Sequence, residues 1–455
     1  MMLKDYTIAN IITPLIECGI GIIRISGNEA FMIIDKIFKA YSSAYIKKES
    51  HKVYLGIIHN ENGDKLDEVL VLLMKGPNSF TGEDTVEIHC HGNPFILQET
   101  MKVILKNGAK KSEAGEFTRR AFLNGKLDLT QSEAILDTIT ANNQKALTLS
   151  LNQLEGSLKN KIGALKEDLI SIIAYLEATI DFPDDEIEES YTNDVINSRI
   201  NKLLDEINKL LDSYNTGKII KEGIMTVMIG QPNVGKSSLL NSLLNEDRAI
   251  ITHLPGTTRD AIEEQINIGD LVLNIVDTAG FRETEDIIEK IGIKKTYEYI
   301  DIAQLIIFLV DATQGLTVED QLMLEHLRKL EKNYIIVMNK VDLIDESNIE
   351  TSDDIFFISA KNGTGLDELK YGIKKLFIKD EIEDYCISNL RYYESLIKAK
   401  SALDMFKESM ESQIVPADLL AIDLKDAYIA LATITGDDFT EDLLDNIFSK
   451  FCIGK

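Results

Sequence analysis

The sequence predicts a multidomain chain of mixed class: an α+β, β-rich segment at the N-terminus, a doubly wound α/β domain in the middle, and an all-helical domain whose two halves flank it. Three observations carry this. Short β-type runs with intervening helical spacing fill residues 1–118, and strands alternate with helices over 219–379 around a glycine-rich loop. Apolar periods of three and four residues, with almost no Gly or Pro, fill 119–218 and return over 380–455. At 455 residues the length alone suggests about three domains, and 44% hydrophobic content is enough for real cores.

In chain order, the runs 6–12, 21–25, 53–58, 68–73 and 85–90 have strand character, and 28–40 and 93–105 have helical spacing between them. The helical block that follows is interrupted at Asp181-Phe182-Pro183-Asp184. Two separate helical pieces would each bury little surface, so 119–218 and 380–455 are expected to form one domain split by the inserted segment, closing on Phe451-Cys452-Ile453-Gly454-Lys455.

The net charge of −27 excludes a surface that coats nucleic acid or anionic membrane as a whole. Any RNA contact must be local. The cluster Lys106, Lys110, Lys111, Arg119 and Arg120 is a candidate, with a solvated face as the default reading. Four scattered cysteines without a CxxC pair fit a reduced cytosol, and the first twenty residues, with one Lys, Asp5 and Glu17, read as neither secretory signal nor transit peptide. No uncharged apolar run reaches the ~18 residues a membrane span needs, so the expectation is a cytoplasmic protein.

Gly230 to Ser238, GQPNVGKSS, states its chemistry most directly. Gly230, Gly235, Lys236 and Ser237 satisfy G-x-x-x-x-G-K-[ST]: glycine lets backbone amides curl around phosphate oxygens, Lys236 reaches the β and γ phosphates, and the Ser237 hydroxyl can ligate Mg²⁺. An apolar strand at 225–229 precedes the loop, and a helix beginning at Ser238 turns its N-terminus to the anion, with Val234 inside the cradle.

Three further short signals at strand ends identify the nucleotide. Asp277-Thr278-Ala279-Gly280 places Asp277 to hold Mg²⁺ through water and Gly280 near the γ-phosphate. In Asn339-Lys340-Val341-Asp342 the carboxylate accepts the N1–H and exocyclic amine of guanine, a donor pair that adenine lacks. Ser359-Ala360-Lys361 offers a backbone donor to the guanine oxygen. Together they predict a Ras-like G domain that binds GTP.

Hydrolysis is a separate matter, because Phe281 stands where a Ras-like enzyme carries the water-orienting Gln. Either the domain is a slow switch or another group supplies the missing electrostatics. Asn233 has a spare amide oxygen beside the phosphates, and the loop Thr252-His253-Leu254-Pro255-Gly256-Thr257-Thr258 offers carbonyls and hydroxyls, a neutral-oxygen cage suited to a monovalent cation. The plainer reading is that Asn233 caps the turn.

Five segments together resemble the bacterial tRNA-modification GTPase MnmE (TrmE) family over essentially the whole chain. They are Gly256-Thr257-Thr258-Arg259-Asp260, Gly21-Ile22-Ile23-Arg24-Ile25-Ser26-Gly27, Ser79-Phe80-Thr81-Gly82-Glu83-Asp84, the run from Gly115-Glu116-Phe117 to Leu127-Asp128-Leu129, and Cys452-Ile453-Gly454-Lys455. The resemblance implies a cytoplasmic potassium-activated GTPase, a homodimer through its G domains, acting with the flavoprotein MnmG. The pair would add a carboxymethylaminomethyl or aminomethyl group at C5 of the tRNA wobble uridine. It also implies a folate-binding, dimerising N-terminal domain and a reduced folate such as 5-formyltetrahydrofolate as one-carbon donor. K⁺ falls to Asn233, Thr252, Leu254 and Thr257, and Mg²⁺ to Ser237 and Thr258. Glu289 would orient the attacking water beside Lys236 and Asn233, where the sequence alone gives a carboxylate at a helix start. The folate falls to Arg24, Glu87, Lys126 and Lys455.

One departure from the family stands at Thr13-Pro14, which leads into Leu15-Ile16-Glu17-Cys18-Gly19 instead of a Gly- and Arg-rich turn. His89 and His91 share a strand face without further ligands and read as structural. Cys452 is placed like a prenylation site but followed by the wrong residues. Ribosome-assembly and dynamin-like GTPases share the G domain. The first should bring an RNA module such as a KH domain, which the sequence lacks, and the second a basic membrane surface, contrary to the charge.

Overall fold

The computed structural model describes residues 6–181, 193–246, 262–276, 298–330, 332–344, 354–378, 386–412 and 417–455. These fall in two compact units. One comprises Met1–Leu136, Gln153–Glu177 and Leu424–Lys455, the other Asp137–Asn152 and Ala178–Asp423.

The first unit is built on a seven-stranded sheet of β1 (Ile8–Ile11), β2 (Cys18–Ser26), β3 (Phe38–Ala40), β4 (Lys52–His59), β5 (Lys65–Met74), β6 (Thr85–Gly92) and β7 (Lys110–Lys111), in the order β3-β4-β5-β6-β2-β1-β7. Every pairing is antiparallel except β1 with β7. Period-two alternation sends Ile23 and Ile25 of β2 and Val86 and Ile88 of β6 into the core, where α1 (Ala30–Ile37) and α2 (Pro94–Lys106) cover them with Ile33, Ile34, Leu97 and Ile104. The Asn93 side chain caps α2 by accepting from the amides of Phe95 and Ile96. The helix expected to reach residue 40 stops at Ile37. Phe38 is buried and pairs with Ile58 of β4, and this edge strand closes because Gly56 lies opposite Ala40; a Cβ on Gly56 would meet the Lys39 carbonyl at 2.3 Å.

Four helices follow α3 (Glu116–Leu123): α4 (Leu129–Thr140), α5 (Gln144–Glu155), α6 (Ser157–Asp181) and α7 (Asn193–Glu222). Side-chain amides stitch them to neighbouring backbone. Within the first unit Gln131 donates to the Leu154 carbonyl at 2.9 Å and Gln153 to that of Thr130 at 2.8 Å; within the second, Asn143 donates to the Ile220 carbonyl at 2.8 Å. The structure describes α6 as far as Asp181, and Phe182-Pro183-Asp184 of the expected break lie outside the described residues.

The second unit carries a six-stranded sheet of β8 (Ile224–Ile229), β9 (Ile262–Ile268), β10 (Leu271–Val276), β11 (Leu305–Asp311), β12 (Asn333–Asn339) and β13 (Ile355–Ile358), in the order β13-β12-β11-β8-β10-β9. All neighbours are parallel but β9 and β10, which form a hairpin. Buried on both faces, β10 and β11 read LVLNIV and LIIFLVD without alternation. One face packs on α8 (Lys236–Glu246) through Leu239 and Leu243 and on α10 (Leu366–Phe377) through Leu366, Leu369 and Ile373. The other packs on α9 (Val318–Lys329) through Leu324 and Leu327. This is the doubly wound arrangement expected, with the phosphate loop at the carboxyl end of β8.

The chain then returns to helices α11 (Leu390–Ser412), α12 (Ala417–Thr435) and α13 (Glu441–Phe448). In the second unit Tyr214 of α7 stacks on Tyr393 of α11 with ring centroids 4.5 Å apart. No helix among the described residues is long and apolar enough to cross a membrane. In the first unit α13 buries Leu444, Ile447 and Phe448 against Phe122, Leu129 and Phe451. Beyond it Ile453 bridges Ala114, and the Phe117 amide donates to the Lys455 carbonyl at 3.2 Å. Gly115 sits at a left-handed φ of 67° where a Cβ would meet the Phe448 carbonyl at 2.6 Å. With Phe448 only 2% exposed, Phe448→Ala should cost about 3–5 kcal/mol by chemical denaturation. Proteolysis of the native variant should then clip residues after 441 first; cleavage elsewhere would contradict the packing.

Candidate nucleotide site and N-terminal polar site

The phosphate loop runs from β8 into α8 with Gly230 at φ 147°, Asn233 at 65° and Gly235 at 103°. The two glycines are sterically required, since a Cβ would lie 2.2 Å from the Leu309 carbonyl at Gly230 and 2.1 Å from the Asn339 amide at Gly235. Asn233 takes the left-handed conformation that asparagine tolerates best among side-chain-bearing residues, and it is exposed at the crest of the loop. Ser237 and Ser238 are exposed in the first turn of α8, where amide donors and the helix dipole favour an anion. The Lys236 ammonium donates to the carbonyls of Gly230 at 2.6 Å and Gln231 at 2.9 Å, and burial lowers its pKa from the ordinary lysine value.

Asn339, at the end of β12, joins this loop to the turn after β13. Its Nδ2 donates to the Val234 carbonyl at 2.8 Å while its Oδ1 accepts from the Ala360 amide at 3.0 Å. The Ala360 amide is therefore engaged, and a backbone donor for a guanine oxygen has to come from elsewhere in the turn, with exposed Lys361 next along it. Ser359 Oγ donates to Asp342 Oδ1 at 2.7 Å and fixes this exposed carboxylate on the rim. Lys340, itself at φ 69°, pairs with Asp311 at 2.6 Å.

Sequence reasoning missed Asp311 and Gln231. The only signal for Asp311 was its place at the end of the apolar run of β11, and Gln231 sat unremarked inside the loop motif. The expected partners Thr252, His253, Leu254, Pro255, Gly256, Thr257 and Thr258, together with Asp277, Thr278, Ala279, Gly280, Phe281 and Glu289, lie outside the described residues.

Burial alone would raise the Asp311 carboxyl, but hydrogen bonds from Lys340 and Thr313 outweigh it and hold the pKa below the usual carboxylate value. A depressed folded-state pKa stabilises above the unfolded value of about 3.9 and loses that contribution as pH falls through the lower folded value. The stability difference between the parent protein and Asp311→Asn should therefore be full at pH 6 and shrink towards pH 3. Denaturation at both pH values checks this, and a constant difference would contradict it.

In the first unit, Arg24 and Glu87 face each other across β2 and β6. The guanidinium donates to Glu87 Oε1 at 2.7 and 2.9 Å and lies 5.4 Å from the Phe80 ring and 5.6 Å from that of Phe117. Lys126 Nζ donates to the Pro77 carbonyl at 3.1 Å, and Lys455 reaches the same region through its backbone bond to Phe117. Arg24 and Glu87 are thus in direct contact, whereas Lys126 and Lys455 are tied to flanking segments. His91 Nδ1 pairs with Asp67 Oδ1 at 2.7 Å, and Cys90 is buried with its thiol pushed up to about 12 by desolvation. Residues Leu15 and Ile16 of the divergent turn are exposed.

Arg120 does not belong to the basic cluster expected from sequence. Only 4% exposed, it donates to Glu83 and Glu116 at 3.0 Å each and to the Tyr6 carbonyl at 3.0 Å. Arg119 pairs with Asp445 at 2.7 Å and the exposed Lys106 with Glu61 at 2.6 Å, while exposed Lys110 lies 4.4 Å from the Tyr6 ring and Lys111 is exposed beside it.

The chain matches the family model described as the GTP-binding protein TrmE N-terminus over residues 7–126, and that of the MnmE helical domain over residues 129–452. The tRNA modification GTPase MnmE of Acetivibrio thermocellus is 43% identical over 464 residues, covering 100% of this chain and 100% of that protein. The protein of the same name from Clostridioides difficile is 45% identical over 466 residues, again covering 100% of each. That of Desulforamulus reducens is 43% identical over 463 residues, covering 99% of this chain and 100% of its own. A likeness of this extent leaves no segment of the architecture unaccounted for, and the chain belongs to the MnmE (TrmE) family.

Proposed function

We propose that this chain binds and hydrolyses GTP and that its turnover serves the modification of tRNA, the activity named for its full-length relatives. The observation that carries the nucleotide reading is the Asn339 bridge, which holds the phosphate loop and the Ala360 turn in one frame while Ser359 fixes Asp342 to accept the guanine N–H edge. Lys236 turns the ammonium donor left over by the two loop carbonyls to the β and γ phosphates, whose charge offsets the burial that lowers its pKa.

The exposed Ser237 hydroxyl at the start of α8 suits Mg²⁺, with Thr258 as its expected second ligand. The exposed Asn233 amide suits K⁺, with Thr252, Leu254 and Thr257 completing the set. Bound there, the two cations would supply the positive charge that phosphoryl transfer needs, and Glu289 would orient water in place of the Gln replaced by Phe281.

The N-terminal polar site suits a reduced folate. Arg24 and Glu87 offer a paired donor and acceptor beside the Phe80 and Phe117 rings. Glu87 would accept from the pterin N–H edge, and Arg24, Lys126 and Lys455 would pair with carboxylates. When bound, the folate supplies the one-carbon unit. In this reading the segments are 1–118 for folate and dimerisation, 219–379 for GTP, and 119–218 with 380–455 for the helical domain. The working form is a cytoplasmic homodimer with MnmG as partner and the wobble uridine as the modified base.

The test is GTP hydrolysis at saturating Mg²⁺ in potassium against sodium buffer, with Asn233→Ala alongside. The expected result is stimulation by potassium of about tenfold or more, lost in the variant. Equal slow rates in both salts would refute cation-assisted hydrolysis.

A further inference from the structure

We infer that Gln231 is a positioning residue for the phosphate-binding lysine, coupling Lys236 to the first turn of α9. This rests on the GTP-site reading above and adds a residue that the phosphate-loop signature leaves unspecified.

Gln231 acts through both of its ends. Its backbone carbonyl accepts from Lys236 Nζ at 2.9 Å. Its side-chain Nε2 donates to Glu319 Oε2 at 2.7 Å and to Thr317 Oγ1 at 3.3 Å. Thr317 is the N-cap of α9 and belongs to a closed capping box: its hydroxyl accepts from the Asp320 amide at 3.2 Å, and its own amide and hydroxyl donate to Asp320 Oδ2 at 3.0 and 2.8 Å. Asp320 is 5% exposed, and α9 is anchored in the sheet core through Leu324 and Leu327. The anchor to which Gln231 is tied is therefore rigid.

The other side of the loop is fixed as well. Gly230 passes so close to β11 that a Cβ would lie 2.2 Å from the Leu309 carbonyl, and Val234 is held by Asn339. Gln231 is the residue between these fixed points whose side chain reaches an independent element. The amide-to-carboxylate bond is charge-assisted, the stronger class of hydrogen bond. It sets where the Gln231 carbonyl stands, and with it the direction in which the Lys236 ammonium approaches the phosphates.

The experiment measures binding of GDP and of a non-hydrolysable GTP analogue with Mg²⁺ to the full chain, together with phosphate release from GTP. Gln231→Glu sets two carboxylates against each other and should weaken binding of the GTP analogue about tenfold. Glu319→Gln in the same chain reverses donor and acceptor and should recover most of the loss. Glu319→Ala, which leaves the loop sequence intact, should by itself show a loss of the same sign. Thermal midpoints should change little, because the contact is at the rim of the loop. Binding by Gln231→Glu equal to the parent, or no recovery in the double variant, would overturn the inference. A parent chain that binds no guanine nucleotide would instead overturn the GTP reading itself.

Discussion

The nucleotide site depends on one buried amide. Asn339 is 2% exposed and uses both ends of its side chain, one on the phosphate loop and one on the turn after β13. A buried side chain with both polar atoms satisfied fixes its neighbours, because moving either leaves an unpaired group in low dielectric at about 1–3 kcal/mol. Gly235 must be glycine because Asn339 lies against it, and Ser359 can orient Asp342 because the turn that carries it is held in register. The phosphate loop and the turns proposed to read the base are thus parts of one hydrogen-bonded frame.

The N-terminal unit has its own version of this constraint. Arg120 is buried between Glu83 and Glu116, with Ser26 donating to the second oxygen of Glu83 at 2.7 Å. Removing one partner of such a group leaves an uncompensated buried charge, typically at about 3–5 kcal/mol. The residues involved come from three separated stretches, around Ser26, Glu83 and Arg120, which also carried the family resemblance. The C-terminal residues close over α3 beside this network, so Lys455 lies near Phe117 although 338 positions separate them in the chain (455 − 117).

The G domain was legible in the sequence because its chemistry is local. A strand, a glycine-rich loop and a helix start are contiguous, and the short motifs carrying Asp342 and Ala360 each end an apolar run. What sequence could not reveal is pairing at a distance. Asp311 meets Lys340 and Gln231 meets Glu319 through the order of the strands, which periodicity does not encode. Arg120 was misread for the same reason: beside Arg119 it looked like half of a basic patch, and only the fold shows that adjacent helical positions point in different directions, one to Asp445 and one into the core. The helix ending at Ile37 was overextended because Phe38 fits a helical period as well as it fits an edge strand.

The most direct test of the account concerns Asp342, whose carboxylate is held by Ser359 and is proposed to read guanine. Affinities for GTP and xanthosine triphosphate should be measured in the parent protein and in Asp342→Asn. Xanthine carries a carbonyl where guanine carries the amine, so an asparagine amide can donate where the aspartate accepts. The account predicts a parent that prefers GTP and a variant whose preference is reversed, with a total swing of about a hundredfold or more. An unchanged preference for GTP in the variant would contradict the claim that Asp342 identifies the nucleotide.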